Sequence, residues 1–197
     1  MADAKADERE TWTEPRRVVD EVWRLLAAGV DDRRSPHHTP TLISLDPDGR
    51  PRGRTVVLRE ANAARRRLLC HCRSDAPKVK ALRLNPSVCW HSYDPAGKTQ
   101  LTLDGEAMIH PFGDLADARW QATSEGARAC YRRLPRPGSE VDDPSVPAEE
   151  RGDGRDRFAV IEATITRLEW LWLHHAGHRR LRAEWTGQAW HGGWVAP

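Results

Sequence analysis

Cysteine is scarce in this sequence, with four in 197 residues. Cys70, Cys72, Cys89 and Cys130 are too few and too irregularly spaced for a disulfide framework, so they read as free thiols of a reducing compartment. A surplus of charge is lacking too. The 31 Lys and Arg face 29 Asp and Glu, and a formal +2 gives no general attraction to nucleic acid or anionic lipid. Anion binding, where it occurs, has to be local. Long apolar runs are also missing. The opening MADAKADERE is charged from Asp3 onward, unlike a signal peptide, and no later stretch approaches a membrane span. A cytoplasmic protein with neither nucleic acid nor membrane as partner is the expectation. A nucleophile elbow, a P-loop and the G-x-G-x-x-G fingerprint are absent as well, which removes support from hydrolase, NTPase and Rossmann readings.

What is present suits one domain with appendages. In TEPRRVVDEVWRLLAAGVDD, Val18, Val19, Val22, Trp23, Leu25 and Leu26 recur at helical spacing, with Thr13 as a cap and an end near Gly29. TLISLD, the turn PDGRP and GRTVVLRE read as a hairpin, and RRLLCHC as a third strand. SDAPKVKALRLNP predicts a short helix capped by Asp75 and stopped at Asn85-Pro86. Strands SVCWHSYD and TQLTLDGEAMIH follow, then the helical stretch DLADARWQATSEGARACYRR. The Pro-, Gly- and acid-rich segment at about 134–157 predicts a mobile surface loop. FAVIEATITRLEWLWL, HRRLRAEW and QAWHGGWVAP complete six or seven strands. The organisation is an N-terminal helix and link over 1–38, then a mainly β domain with flanking helices over 39–197, arranged as an antiparallel barrel.

Several residues carry chemistry. Alternation along RTVVLR puts Arg54, Val56 and Leu58 on one face and Thr55, Val57 and Arg59 on the other. Lys78 stands in the first turn of its helix, where a cation is disfavoured unless an anion shares the amide groups. On spacing alone, Arg54, Arg59 and Lys78 also read as solvated charges of an Arg-rich surface. Gln100 offers a donor and an acceptor from a strand, which is ordinary on a solvent face. The Trp-rich final strands read first as core or interface packing. Cys70-x-Cys72 and the cluster His174, His175, His178 lack the further ligands of a metal site, so no metal is assigned.

The ordered series RTVVLR, SDAPK, NPSVCWHSYD, TQLTLDGEA and LEWLWL with HRR resembles the pyridoxamine 5'-phosphate oxidase superfamily of FMN-binding split β-barrels, in the branch described only as FMN-binding. The resemblance runs from about Thr39 to Pro197. It implies FMN as cofactor, with the phosphate on Arg54 and Lys78 and the flavin ring against the backbone of Thr55, Val56, Val57, Leu58 and Arg59. His71 and Cys72 stand where the family has a Tyr-Thr pair, and Gln100 matches a Gln that meets the flavin. Ala76-Pro77-Lys78 replaces a Ser-Arg-Lys segment, keeping one cation of two. The resemblance further implies a homodimer with FMN at the interface and an oxidoreductase of unknown small-molecule substrate, or a non-catalytic carrier of FMN or another planar cofactor. Arg128, Tyr131 and Arg179 are the candidate substrate contacts. The family's second His and final Arg near the C-terminus fall at Leu181 and Ala183, so efficient oxidation of pyridoxine 5'-phosphate is not expected.

Overall fold

The computed structural model describes residues 8–145 and 149–197, so most of the charged opening and positions 146–148 of the expected loop lie outside the described residues. Helix α1 spans Pro15–Asp31 and buries Val18, Val19, Val22, Trp23 and Leu26. Its periodic face was legible, but its start was not: Glu14 rather than Thr13 occupies the cap position, without a side-chain cap.

Strands β1 (Thr41–Leu45) and β2 (Pro51–Thr55) form the expected hairpin. The run RTVVLR is not one strand. It breaks at Val56–Val57, and β3 (Leu58–Asn62) pairs with β4 (Arg67–Arg73) instead. The amides of Val56 and Leu58 donate to the Pro40 and His38 carbonyls, so the break is hydrogen-bonded by the segment before β1. Helix α2 (Pro77–Leu84) follows, with Ala76 as its cap residue; Asp75, expected there, is paired with Arg73. Then come β5 (Ser87–Asp94) and β6 (Thr99–His110).

The next helical stretch comes in two pieces, α3 (Asp114–Gln121) and α4 (Glu125–Arg132). Two-residue strands β7 (Arg133–Leu134) and β8 (Glu149–Glu150) pair across the base of the excursion. The chain ends with β9 (Phe158–Trp172), β10 (Arg179–Trp185) and β11 (Trp190–Val195).

The main sheet has nine strands rather than six or seven, ordered β11-β10-β9-β6-β5-β1-β2, with β4 also on β9 and β3 on β4. The path from β3 through β4, β9, β6, β5 and β1 to β2 is a barrel left open between β2 and β3, a split antiparallel barrel. Its interior holds Leu42, Leu58, Leu68, Cys70, Leu101, Leu103 and Trp170, closed by α1. A second core lies outside the barrel wall, where Leu69, Phe158 and Val160 meet Trp120 of α3 and Tyr131 of α4. Over residues 68–70 of β4 and 158–161 of β9 both faces are therefore buried, one inward and one under the helices.

Candidate cofactor site

The opening in the barrel concentrates unneutralised positive charge. Arg54, next to last in β2, folds back over β1, donating from Nη1 to Ser44 Oγ at 2.7 Å and to the Leu42 carbonyl at 3.3 Å. Burial depresses its pKa. Arg59 follows the break, at an irregularity in the β3–β4 register, and its buried Nε has no partner. Lys78 is the second residue of α2.

All three cations act on the Cys70 thiol and oppose the burial that pushes its pKa up to about 12. Lys78 likewise opposes the burial that raises Cys72 to about 11. All three cations therefore lie within electrostatic range of one β4 residue, whose pairing partner Leu58 is the neighbour of Arg59. Nearby arginines are compensated: Arg67 by Glu60 and Glu162, Arg73 by Asp75, Arg119 by Glu60. Among the described residues, Arg54, Arg59 and Lys78 have no carboxylate partner. A partly buried cation without a counterion calls for an anion.

His71 projects from the other face of β4 and meets Phe158 edge-on at 4.9 Å. Its Nε2 is buried and unpartnered. Burial, reinforced by Arg59 and Arg119, lowers its pKa to about 4, so the ring is neutral at pH 7. Two buried polar atoms, Arg59 Nε and His71 Nε2, thus lack partners, on residues that interact electrostatically, and each needs a partner the chain does not supply. The site fits a ligand that brings negative charge and hydrogen-bonding atoms.

Of the other anticipated residues, Val56 and Leu58 are buried inward, Thr55 is exposed and Val57 half-buried at the break. Cys72 lies inward beside Lys78. Gln100 is not brought in. It faces Tyr93 and Leu171, while the β6 residue level with Arg54, across β1 and β5, is Leu103. Gln100 is therefore three strands away and three residues further along.

The candidate substrate contacts have other work in this chain. Arg128 lies over the Trp120 ring at 4.8 Å and donates to the Trp120 and Gln121 carbonyls at the end of α3. Tyr131 is wedged between Trp120 and Phe158, and burial raises its pKa. Arg179 donates to the Arg9 and Trp12 carbonyls at 3.1 Å, fastening the N-terminal segment to β10. Arg180 and Arg182, on the alternate face of β10, share Glu169. His174 stacks on Trp172, and among the described residues no His, Cys, Asp and Glu cluster is placed to hold a metal. Sequence reasoning missed Ser44, buried to 3 % exposure and the short-range partner of Arg54. Its role depends on hairpin register, which leaves no sign in a stretch reading TLISLD.

No protein-family model matches the sequence, and no curated protein does. Solved structures do. A pyridoxamine 5'-phosphate oxidase-related, FMN-binding protein from Nostoc punctiforme PCC 73102 is similar at a TM-score of 0.72 and 19 % identity, covering 94 % of this chain and 100 % of that one. PhzG from Burkholderia lata 383, in complex with tetrahydrophenazine-1-carboxylic acid, is similar at 0.71 and 20 %, covering 99 % and 98 %. A protein related to general stress protein 26, from Clostridium acetobutylicum, is similar at 0.54 and 12 %, covering 83 % and 93 %. At such identities the likeness establishes the fold.

Proposed function

We propose that this chain, which has the split-barrel fold of the pyridoxamine 5'-phosphate oxidase-related FMN-binding proteins, is itself an FMN-binding flavoprotein and an oxidoreductase. The observation that carries the reading is that Arg54 and Arg59, on the two strands that flank the opening of that barrel, and Lys78 of α2 have no counterion and all act on the buried Cys70. Arg54 and Lys78 receive the cofactor phosphate, and the interrupted backbone at Thr55–Val57 lies against the ring. Arg59 and His71 offer their unpartnered nitrogens to its polar atoms. FMN supplies hydride transfer when bound, and the protein binds and orients it.

Gln100 cannot reach this cluster from its own chain, so we assign it to the site of a second copy in a homodimer with FMN between the subunits. Exposed apolar side chains support such an assembly: Met108 and Phe112 are 64 % and 80 % exposed. Efficient oxidation of pyridoxine 5'-phosphate is not proposed, because Arg128, Tyr131 and Arg179 are held by Trp120, Phe158 and the N-terminal segment. A carrier without turnover is the second reading. It is favoured by the thiols of Cys70 and Cys72 and the neutral ring of His71, which supply no poised acid or base at pH 7.

Purified protein should be yellow and release FMN on denaturation. Arg54→Ala and Lys78→Ala should each weaken FMN binding about tenfold or more, given roughly 1.5–3 kcal/mol for a charged hydrogen bond, and the double variant should nearly abolish it. Unchanged binding in the double variant, read by flavin fluorescence, sinks the site. Anaerobic reduction by a nicotinamide donor followed by reoxidation separates enzyme from carrier.

A further inference from the structure

A second concentration of unpaired charge lies on the far side of α2. A cleft of about 490 Å³ is lined by that helix and by the turn at 136–138. It extends from Ala76 and Pro77 at the start of the helix to Arg83 and Leu84 at its end, about 12 Å at 1.5 Å per residue. Lys78, Arg54 and Arg59 do not line it, although Pro77 and Val79 on either side of Lys78 do.

The turn is held in place by two features. Its base is tied by Arg73 Nη1 donating to the Arg133 carbonyl. Its tip, Gly138, has φ +84, and a Cβ there would lie 3.1 Å from Pro77 Cγ, so a glycine lets the backbone settle on the helix start. The cleft rim carries Lys80, Arg83 and Arg136. Among the described residues none of these three is paired with a carboxylate. The one acid in the lining, Asp75, is neutralised by Arg73 at 2.6 Å. Lys80 and Arg83 stand i, i+3 on one helix face, with side chains about 5–6 Å apart at their base. Pro77, Pro137 and Leu84 give the cleft apolar surface, and Leu84 is 66 % exposed with nothing over it.

We propose that this cleft binds a nucleoside diphosphate, either free or as the adenosine end of a nicotinamide dinucleotide. Two adjacent cations with a third opposite match a pyrophosphate better than a lone phosphate. The proline and leucine surfaces take the flat face of a base. The volume lies in the range of small-ligand sites, roughly 300–1,000 Å³. A cleft one short helix long does not track a nucleic-acid strand, and the net charge of +2 gives such a strand nothing further to hold. The inference is independent of the flavin reading, since it uses no residue of that site.

The test is calorimetric titration of the full chain with ADP, AMP and adenosine. ADP should bind, with adenosine at least tenfold weaker. The charge reversal Arg83→Glu with Arg136→Glu should lower ADP affinity at least tenfold while leaving flavin content and melting temperature unchanged, both side chains being exposed. Leu84→Asp probes the apolar wall with the cations intact and should also weaken ADP. No ADP binding, or equal binding by the charge-reversed chain, overturns the proposal. Stopped-flow reduction of bound flavin by NADH and NADPH distinguishes the sources. Competition by ADP, with the reversal raising the half-saturating dinucleotide concentration by the same factor, assigns the cleft to the donor. ADP binding without competition assigns it to a free nucleotide. A chain that carries no flavin defeats the flavin reading, while the ADP titration still decides the cleft.

Discussion

His71 shows how one side chain inherits its chemistry from neighbours distant in sequence. Its ring is kept neutral first by burial and then by Arg59 and Arg119, which come from β3 and α3. The folded-state pKa of about 4 lies below the ordinary 6.5. Below pH 6.5 the unfolded chain therefore takes up the proton more readily than the folded one. The stability carried by neutral His71 is complete above 6.5 and is lost as the pH falls toward about 4. Urea melts at about pH 7 and pH 4.5 should show a fall of about 1–3 kcal/mol that His71→Asn removes. An identical fall in the variant would locate the acid sensitivity elsewhere, His37 being the other histidine depressed by burial. Gly105 is constrained by sterics rather than by charge. It sits at the register irregularity between β6 and β9, where a Cβ would lie 2.1 Å from the Thr164 carbonyl oxygen. Gly105→Ala should cost at the upper end of the ~1–3 kcal/mol typical of overpacking, seen as a lowered melting temperature.

Among the elements, the short N-terminal segment before α1 does more than its length suggests. Trp12 is 4 % exposed and packs on Trp170 at 6.1 Å, while the Trp194 indole donates to the Thr13 carbonyl. Arg9 donates to Gly97 and Thr99 in the β5–β6 turn, and Arg179 holds the segment from β10. The segment thus laces together strands that the sheet alone leaves at one end of the barrel. Trp12→Ala should destabilise by about 3–5 kcal/mol in denaturant melts. Arg179→Ala should cost about 1.5–3 kcal/mol through its lost bonds while leaving flavin affinity unchanged, as fluorescence titration can check. A substrate role would instead raise KM with stability intact. The break in RTVVLR is the other telling element. Alternation of burial continues through it, with Val56 and Leu58 inward, although the two halves pair with different strands.

For the molecule as a whole, the separation between the cation cluster and Gln100 makes assembly part of the functional reading. A cofactor held by two subunits stabilises the dimer by mass action. Light scattering should show a dimer when FMN is bound and a shift toward monomer when it is stripped. A monomer with full FMN occupancy would contradict the two-subunit site. No helix among the described residues is long and apolar enough to cross a membrane.

Alternation and helical period are properties of neighbouring residues, so the strands Ser87–Asp94 and Thr99–His110, the long strand from Phe158 and the apolar face of α1 were legible in the chain alone. The ordered motifs also carried the fold. They did not reveal which cations stay uncompensated. Arg67, Arg73 and Arg119 look no different in the chain from Arg54 and Arg59, yet the first three acquire Glu60, Glu162 or Asp75 and the last two do not. Tertiary structure likewise turned Arg128, Tyr131 and Arg179 to packing and fastening, and left Gln100 away from its expected site. Counterions and distances of this kind depend on strand register and helix docking, which bring together groups that lie far apart along the chain.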